Sequence, residues 1–209
     1  MMKRTLVAAA LAAFMFTSCS ESKKETTAET ENHEHHEGMA HGDNMPAEGK
    51  VVVETPDYTS VAGPVKEQIA AIVDSYLNLK DNLVASDAAK AQADAKAVVA
   101  AAEKVDVSAL QGEQKAFAEE RLGEVKQTAS KMAASTDLAA QRAQLELLSE
   151  ATFALTKAFG TSDQTLYYQY CPMANNDQGA YWLSSNEEIR NPYFGEQMLK
   201  CGSTEEIII

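Results

Sequence analysis

Four sulfur atoms mark the C-terminal part of the chain: Cys171 and Met173 in "YCPMA", then Met198 and Cys201 in "QMLKCG". Thiolate and thioether donors are soft and together select Cu(I) or, by the same softness, Ag(I). If "TLYYQYC" ends as an extended strand, Cys171 and Met173 lie on one side of it. If the chain from about Gly195 is a short helix, the three-residue step puts Met198 and Cys201 on one face. The four sulfurs are then expected to converge on one soft monovalent ion. The thiolates would be the main ligands, the methionines weak third and fourth ones, and Trp182 the cover. A Cys171–Cys201 disulfide competes with this reading, since two cysteines of an exported domain usually pair. Met173 and Met198 would then be gap-fillers. The residues themselves leave both readings open.

A second metal signal lies far upstream. "HEHHEGMAHGDNM" holds all four histidines of the chain, His33, His35, His36 and His41, together with Met39, Met45 and interleaved carboxylates. Clustered histidines are compositional evidence for metal binding. Neutral imidazoles would chelate Cu(II), Ni(II) or Zn(II), with copper favoured. Such a site is loose and exchangeable, and protonation near pH 6 weakens it.

The absences narrow the chemistry. With every histidine upstream, the rest of the chain has no imidazole base for Ser-His-Asp or Cys-His catalysis. Two thiolates without nearby carboxylates or imidazoles do not make a structural zinc site. No Cys-x-x-Cys motif supports a redox enzyme. The net charge of −13 repels nucleic acid, so no nucleic-acid role is expected. The reading is of a protein that is not an enzyme.

These donors sit in three segments. Residues 1–18 open with Lys3 and Arg4, continue in an apolar run from Leu6 to Phe16, and end in Thr17-Ser18 before Cys19. The run is too short to span a bilayer and has the layout of a secretory signal. Its end resembles a bacterial lipobox, which implies cleavage before Cys19 and acylation there as a stable anchor. Residues 20–50 have no apolar residue larger than alanine or methionine and no period, and residues 19–60 read as an acidic, disordered His/Met-containing tether, with a coil span of about 35 Å. Residues 61–204 read as one folded domain.

Within that domain, periodicity predicts four helices. The first carries Val65, Ile69, Ile72, Tyr76, Leu79 and Leu83. The second, capped by Ser86 or Asp87, carries Ala88, Ala91, Ala95, Val98, Ala102 and Val105. A Ser108/Gln111 capping box precedes Ala118, Leu122, Val125, Ala129 and Met132, with Phe117 beside them. Thr136 or Asp137 caps the fourth helix, with Leu145, Leu148, Thr152, Leu155 and Phe159 inward and Gly160 as its stop. Short connections imply an up-down four-helix bundle. "TLYYQYC" and "AYWLS" around "NNDQG" predict a C-terminal β-hairpin with a long loop, followed by a short terminal helix. The fold class is therefore mainly α. The closing "EEIII" has no assigned place.

"LYYQYCPMA", "GAYWLSS", "EIRNPYFG" and "MLKCG", in this order, resemble the bacterial domain-of-unknown-function 3347 family, most strongly from Tyr167 to Gly202 and loosely over the helices. The resemblance implies a periplasmic setting and company with adaptor subunits of copper and silver efflux pumps. "YCPM" also resembles the Tyr-x-Cys-Pro-Met-His box of small heavy-metal-binding domains, but Ala174 stands here where that box has His. The expected protein is a lipid-anchored periplasmic copper-binding protein assisting efflux. Cu(I) or Ag(I) would sit in the domain and Cu(II) in the tether, an efflux adaptor would be the partner, and the membrane would be met only through lipid. The alternative is a non-enzymatic interaction module of an envelope complex with a structural Cys171–Cys201 bridge.

Overall fold

A computed structural model describes residues 52–161 and 163–209. The expected leader, Cys19, His33, His35, His36, Met39, His41 and Met45 lie outside the described residues. No helix among the described residues is long and apolar enough to cross a membrane.

Four helices form the expected bundle: α1 (Gly63–Val84), α2 (Ala88–Glu103), α3 (Gly112–Ala134) and α4 (Leu138–Phe159). α1 packs on α2, α2 on α3, α3 on α4, and α4 returns to α1. The apolar stripes are buried as predicted, except that Ala88 is only half-buried and Phe117 packs at the edge. Each stripe recurs at three- and four-residue steps, so one helix face meets the core. Asp87 caps α2 by accepting from Lys90 N at 3.0 Å. Asp137 caps α4 by accepting from Ala139 N and Ala140 N at 3.3 and 3.2 Å. Gly160 ends α4 at φ +60°, the left-handed geometry that glycine adopts without strain.

The Ser108/Gln111 capping box does not form. Asp106 instead accepts from Ser108 N at 3.0 Å and turns Val107–Ala109 into a single 3₁₀ turn. α3 then starts after Gln111 without a side-chain cap. A short-range aspartate turn outcompetes the more distant box.

The C-terminal part is a three-stranded antiparallel sheet in the order β2-β1-β3, with β1 Leu166–Cys171, β2 Ala180–Ser184 and β3 Ser203–Ile208. The hairpin β1–β2 is the predicted one, with Cys171 opposite Ala180 and Gln169 opposite Trp182. β3 is an addition, made of the unassigned tail, and pairs with β1 through an irregularity opposite Tyr168 and Gln169.

The sheet sits against α4. Tyr168 stacks on Phe153 of α4 with ring centroids 4.0 Å apart, and Tyr181 stacks on Tyr168 at 4.9 Å. A buried relay ties sheet to bundle. Leu183 N donates to Tyr76 Oη at 3.1 Å, Tyr76 and Ser149 hydroxyls meet at 2.7 Å, and Ser149 donates to Leu145 O at 2.6 Å. Every member is paired, which is what a buried polar chain needs to stabilise the fold.

Order extends beyond the expected limits at both ends. Val52 N and Val53 N donate to Glu206 Oε2 at 2.7 and 3.3 Å, and Lys157 binds both Glu206 and Val53 O. Tyr58 N donates to Ala158 O at 2.7 Å, and its ring packs against Phe117 and Phe159. The buried Glu206 carboxylate of β3 thus holds a strap from the N-terminal side.

Candidate functional site: a dithiol at the end of the sheet

β1 delivers Cys171 as its last residue, and Pro172, which cannot continue a ladder, stops the strand there. Cys171 is fully buried. Cys201 arrives from the other side, in the turn that leads into β3. Cys201 N donates to Met198 O at 3.0 Å. The two sulfurs meet at 2.8 Å as free thiols. Burial is asymmetric, because Cys201 is only partly buried.

Asn191, fully buried, shapes the loop that carries Cys201. Its Nδ2 donates to Cys201 O at 2.8 Å, and its Oδ1 accepts from Tyr193 N at 2.8 Å and Phe194 N at 3.3 Å. Arg142 of α4 braces the same loop from behind. Its Nε donates to Pro192 O at 2.7 Å, and its Nη2 reaches Leu83 O and Ser86 Oγ. Burial lowers the Arg142 pKa without a carboxylate to offset it. Gly202, at φ +141°, lies so close to Tyr170 O and Trp182 that a Cβ there would stand 2.7 and 2.8 Å from them. Trp182 therefore packs against the backbone next to Cys201. Sequence reasoning passed over Asn191 and Arg142 as actors. Asn191-Pro192 reads as a turn signal, and nothing in a helix pattern marks an arginine that reaches back to loop carbonyls.

The Cys201 pKa is pushed up to about 11, first by its contact with the Cys171 thiol and then by burial. Two adjacent thiols resist sharing a negative charge. Among the described residues no cluster of three or more His, Cys, Asp or Glu is placed to hold a metal.

The methionines depart from the expected geometry. Met173 is not on an extended strand end. It has helical backbone angles and opens a turn, Ala174–Asp177, in which Asn175, Asn176 and Asp177 have φ of +51°, +56° and +63°. Alternation with Cys171 therefore does not apply. The Met173 side chain is 46 % exposed and lines a groove with Ala139, Arg142 and Phe194 that neither cysteine lines. The short terminal helix is one 3₁₀ turn, Gly195–Met198, and Cys201 lies beyond its end, so the two do not share a helix face. Met198 is half-buried.

The donor chemistry suits a soft ion, but the spacing does not as it stands. Metal–thiolate bonds of about 2.3 Å put two sulfurs of one tetrahedral ion roughly 3.8 Å apart, and farther still in linear coordination. The pair at 2.8 Å must open before an ion can lie between the sulfurs. Cys201 is the less buried of the two, although its backbone is held by Asn191 and by the close packing of Gly202.

No curated protein and no solved structure matches the chain. The family match falls on the helices rather than on the Cys–Met segment, where the sequence resemblance is read most strongly. Residues 72–164, from the middle of α1 to the turn after α4, match the family model described as "Protein of unknown function (DUF3347)", and the helical part of this chain is thereby similar to that family.

Proposed function

We propose that the protein is a lipid-anchored, extracytoplasmic copper-binding protein that assists metal efflux without being an enzyme. In this reading its reduced Cys171–Cys201 dithiol takes one soft monovalent ion, Cu(I) or Ag(I). His33, His35, His36 and His41 with Met39 and Met45 collect Cu(II) loosely, acylated Cys19 anchors the chain on the periplasmic side, and an efflux adaptor is the partner. The observation that carries the reading is the convergence of two thiols from distant parts of the chain to 2.8 Å, one of them partly exposed. Soft thiolates without competing hard ligands favour a soft cation. Cys201 swings outward to admit it, and Met198, half-buried three residues before Cys201, is the thioether for a supporting role.

The same distance favours a second reading. Thiols in contact are one oxidation away from a bridge, and the domain would then be an interaction module held together by a structural disulfide. The test is anaerobic titration of reduced full-length protein with Cu(I) against a competing chelator, in four forms: wild type, Cys171→Ser, Cys201→Ser, and a variant with the four histidines changed to alanine. The copper reading predicts one tight equivalent that survives loss of the histidines and disappears with either cysteine. Tight binding unaffected by both serine variants, or absent from wild type, leaves the interaction module.

A further inference from the structure

The two thiols are unequally placed. Cys171 is fully buried at the end of β1, paired in register with the buried Ala180 of β2. Cys201 is partly exposed, on a turn held by the Asn191 side chain and by the close packing of Gly202 against Tyr170 O and Trp182. Their sulfurs are already in contact. A reagent from solvent therefore meets Cys201 first and cannot reach Cys171 without opening the sheet end, and any adduct on Cys201 has a second thiol beside it. We propose that Cys201 is a thiol–disulfide exchange site for low-molecular-weight disulfides and that Cys171 is its resolving thiol.

The chemistry closes without other reactants. The small fraction of Cys201 that is thiolate at neutral pH, its pKa being raised to about 11 by the neighbouring thiol, attacks one sulfur of the incoming disulfide R–S–S–R, forming Cys201–S–S–R and expelling one R–S⁻, so the exchange quickens as pH rises. The Cys171 thiolate then attacks the Cys201 sulfur, forming the Cys171–Cys201 bond and expelling the second R–S⁻. The two protons lost by the cysteines are taken up by the two leaving thiolates. The protein dithiol is oxidised by two electrons and the small disulfide is reduced to two thiols. This order of events does not depend on whether the dithiol binds copper.

The test uses reduced full-length protein with Cys19→Ser, incubated with glutathione disulfide and read by mass spectrometry of peptides over time. Wild type at positions 171 and 201 should show a transient glutathione adduct on Cys201 only, followed by the internal bridge. Cys171→Ser should retain the adduct on Cys201. In Cys201→Ser the adduct on Cys171 should form at least about tenfold more slowly, in keeping with the inaccessibility of a buried thiol. The wild-type time course needs no substitution at either thiol and remains decisive if a variant folds poorly. An adduct appearing first on Cys171, equal labelling of the two single variants, or a wild-type adduct that persists without a bridge overturns the assignment.

Discussion

The Asn191 side-chain amide donates to the carbonyl of Cys201 at 2.8 Å, ten residues along the chain, while its oxygen accepts two backbone N–H groups of its own loop. One buried side chain thus decides where the second thiol stands. Removing it leaves backbone groups unpaired in a dry place, and such groups cost about 1–3 kcal/mol each. Asn191→Ala should lower unfolding free energy by roughly 2–4 kcal/mol in urea denaturation. In the folded protein it should also speed alkylation of Cys201. Unchanged stability together with unchanged alkylation would show that the loop is held by other contacts.

Gly202 and Gly123 make a paired test. At Gly202 a methyl group would press on Tyr170 O and on the Trp182 ring at a backbone angle that L-residues avoid, and Gly202→Ala should cost about 2–4 kcal/mol. Gly123 is exposed within α3, with nothing within 4 Å of an added Cβ. Gly123→Ala should raise stability by about 0.5–1 kcal/mol. Melting curves of the two variants should move in opposite directions.

The α2 cap should show in the acid limb of stability. Hydrogen bonds from Lys90, backbone first, hold the Asp87 carboxyl below the usual carboxylate range. A depressed folded pKa contributes stability that is present above the unfolded value and is lost as pH falls through the folded one. Asp87→Ala should therefore lower the melting temperature at pH 7, and the gap to wild type should close as pH falls below the ordinary aspartate range. A gap independent of pH would show that the ionised carboxylate is not what the cap contributes.

Periodicity carried most of the fold. The stripes of α1 to α4, the caps Asp87 and Asp137, the stop at Gly160 and the β1–β2 hairpin are all local patterns, and local patterns are legible in one sequence. What was not legible depended on partners far along the chain. "STEEII" looks too acidic for a strand, yet Glu206 is buried because Lys157 and two backbone N–H groups wait for it. Met173 left its expected face because the chain turns at once, and Asn175, Asn176 and Asp177, residue types that tolerate left-handed angles singly, take them in succession. The candidate site was half visible. The cysteine pairing followed from residue type, whereas the Asn191 clamp and the exposure of one thiol over the other arise only in the folded chain.

Oxidation state should govern the stability of the domain. Closing the roughly thirty-residue loop between Cys171 and Cys201 constrains the unfolded chain by about 3–4 kcal/mol. In urea denaturation the oxidised protein should have a higher unfolding free energy than the reduced protein by that margin. The difference should vanish in Cys171→Ser, and equal midpoints in wild type would mean that the bridge does not form.

The central claim concerns which atoms hold copper in the reduced domain. Copper K-edge X-ray absorption on reduced full-length protein, with the four histidines replaced by alanine and one equivalent of Cu(I) added, reads those atoms directly. The account predicts a first shell of sulfur alone, led by two thiolates and lost in Cys171→Ser. A shell of nitrogen and oxygen, or a sulfur shell indifferent to Cys171, would contradict it.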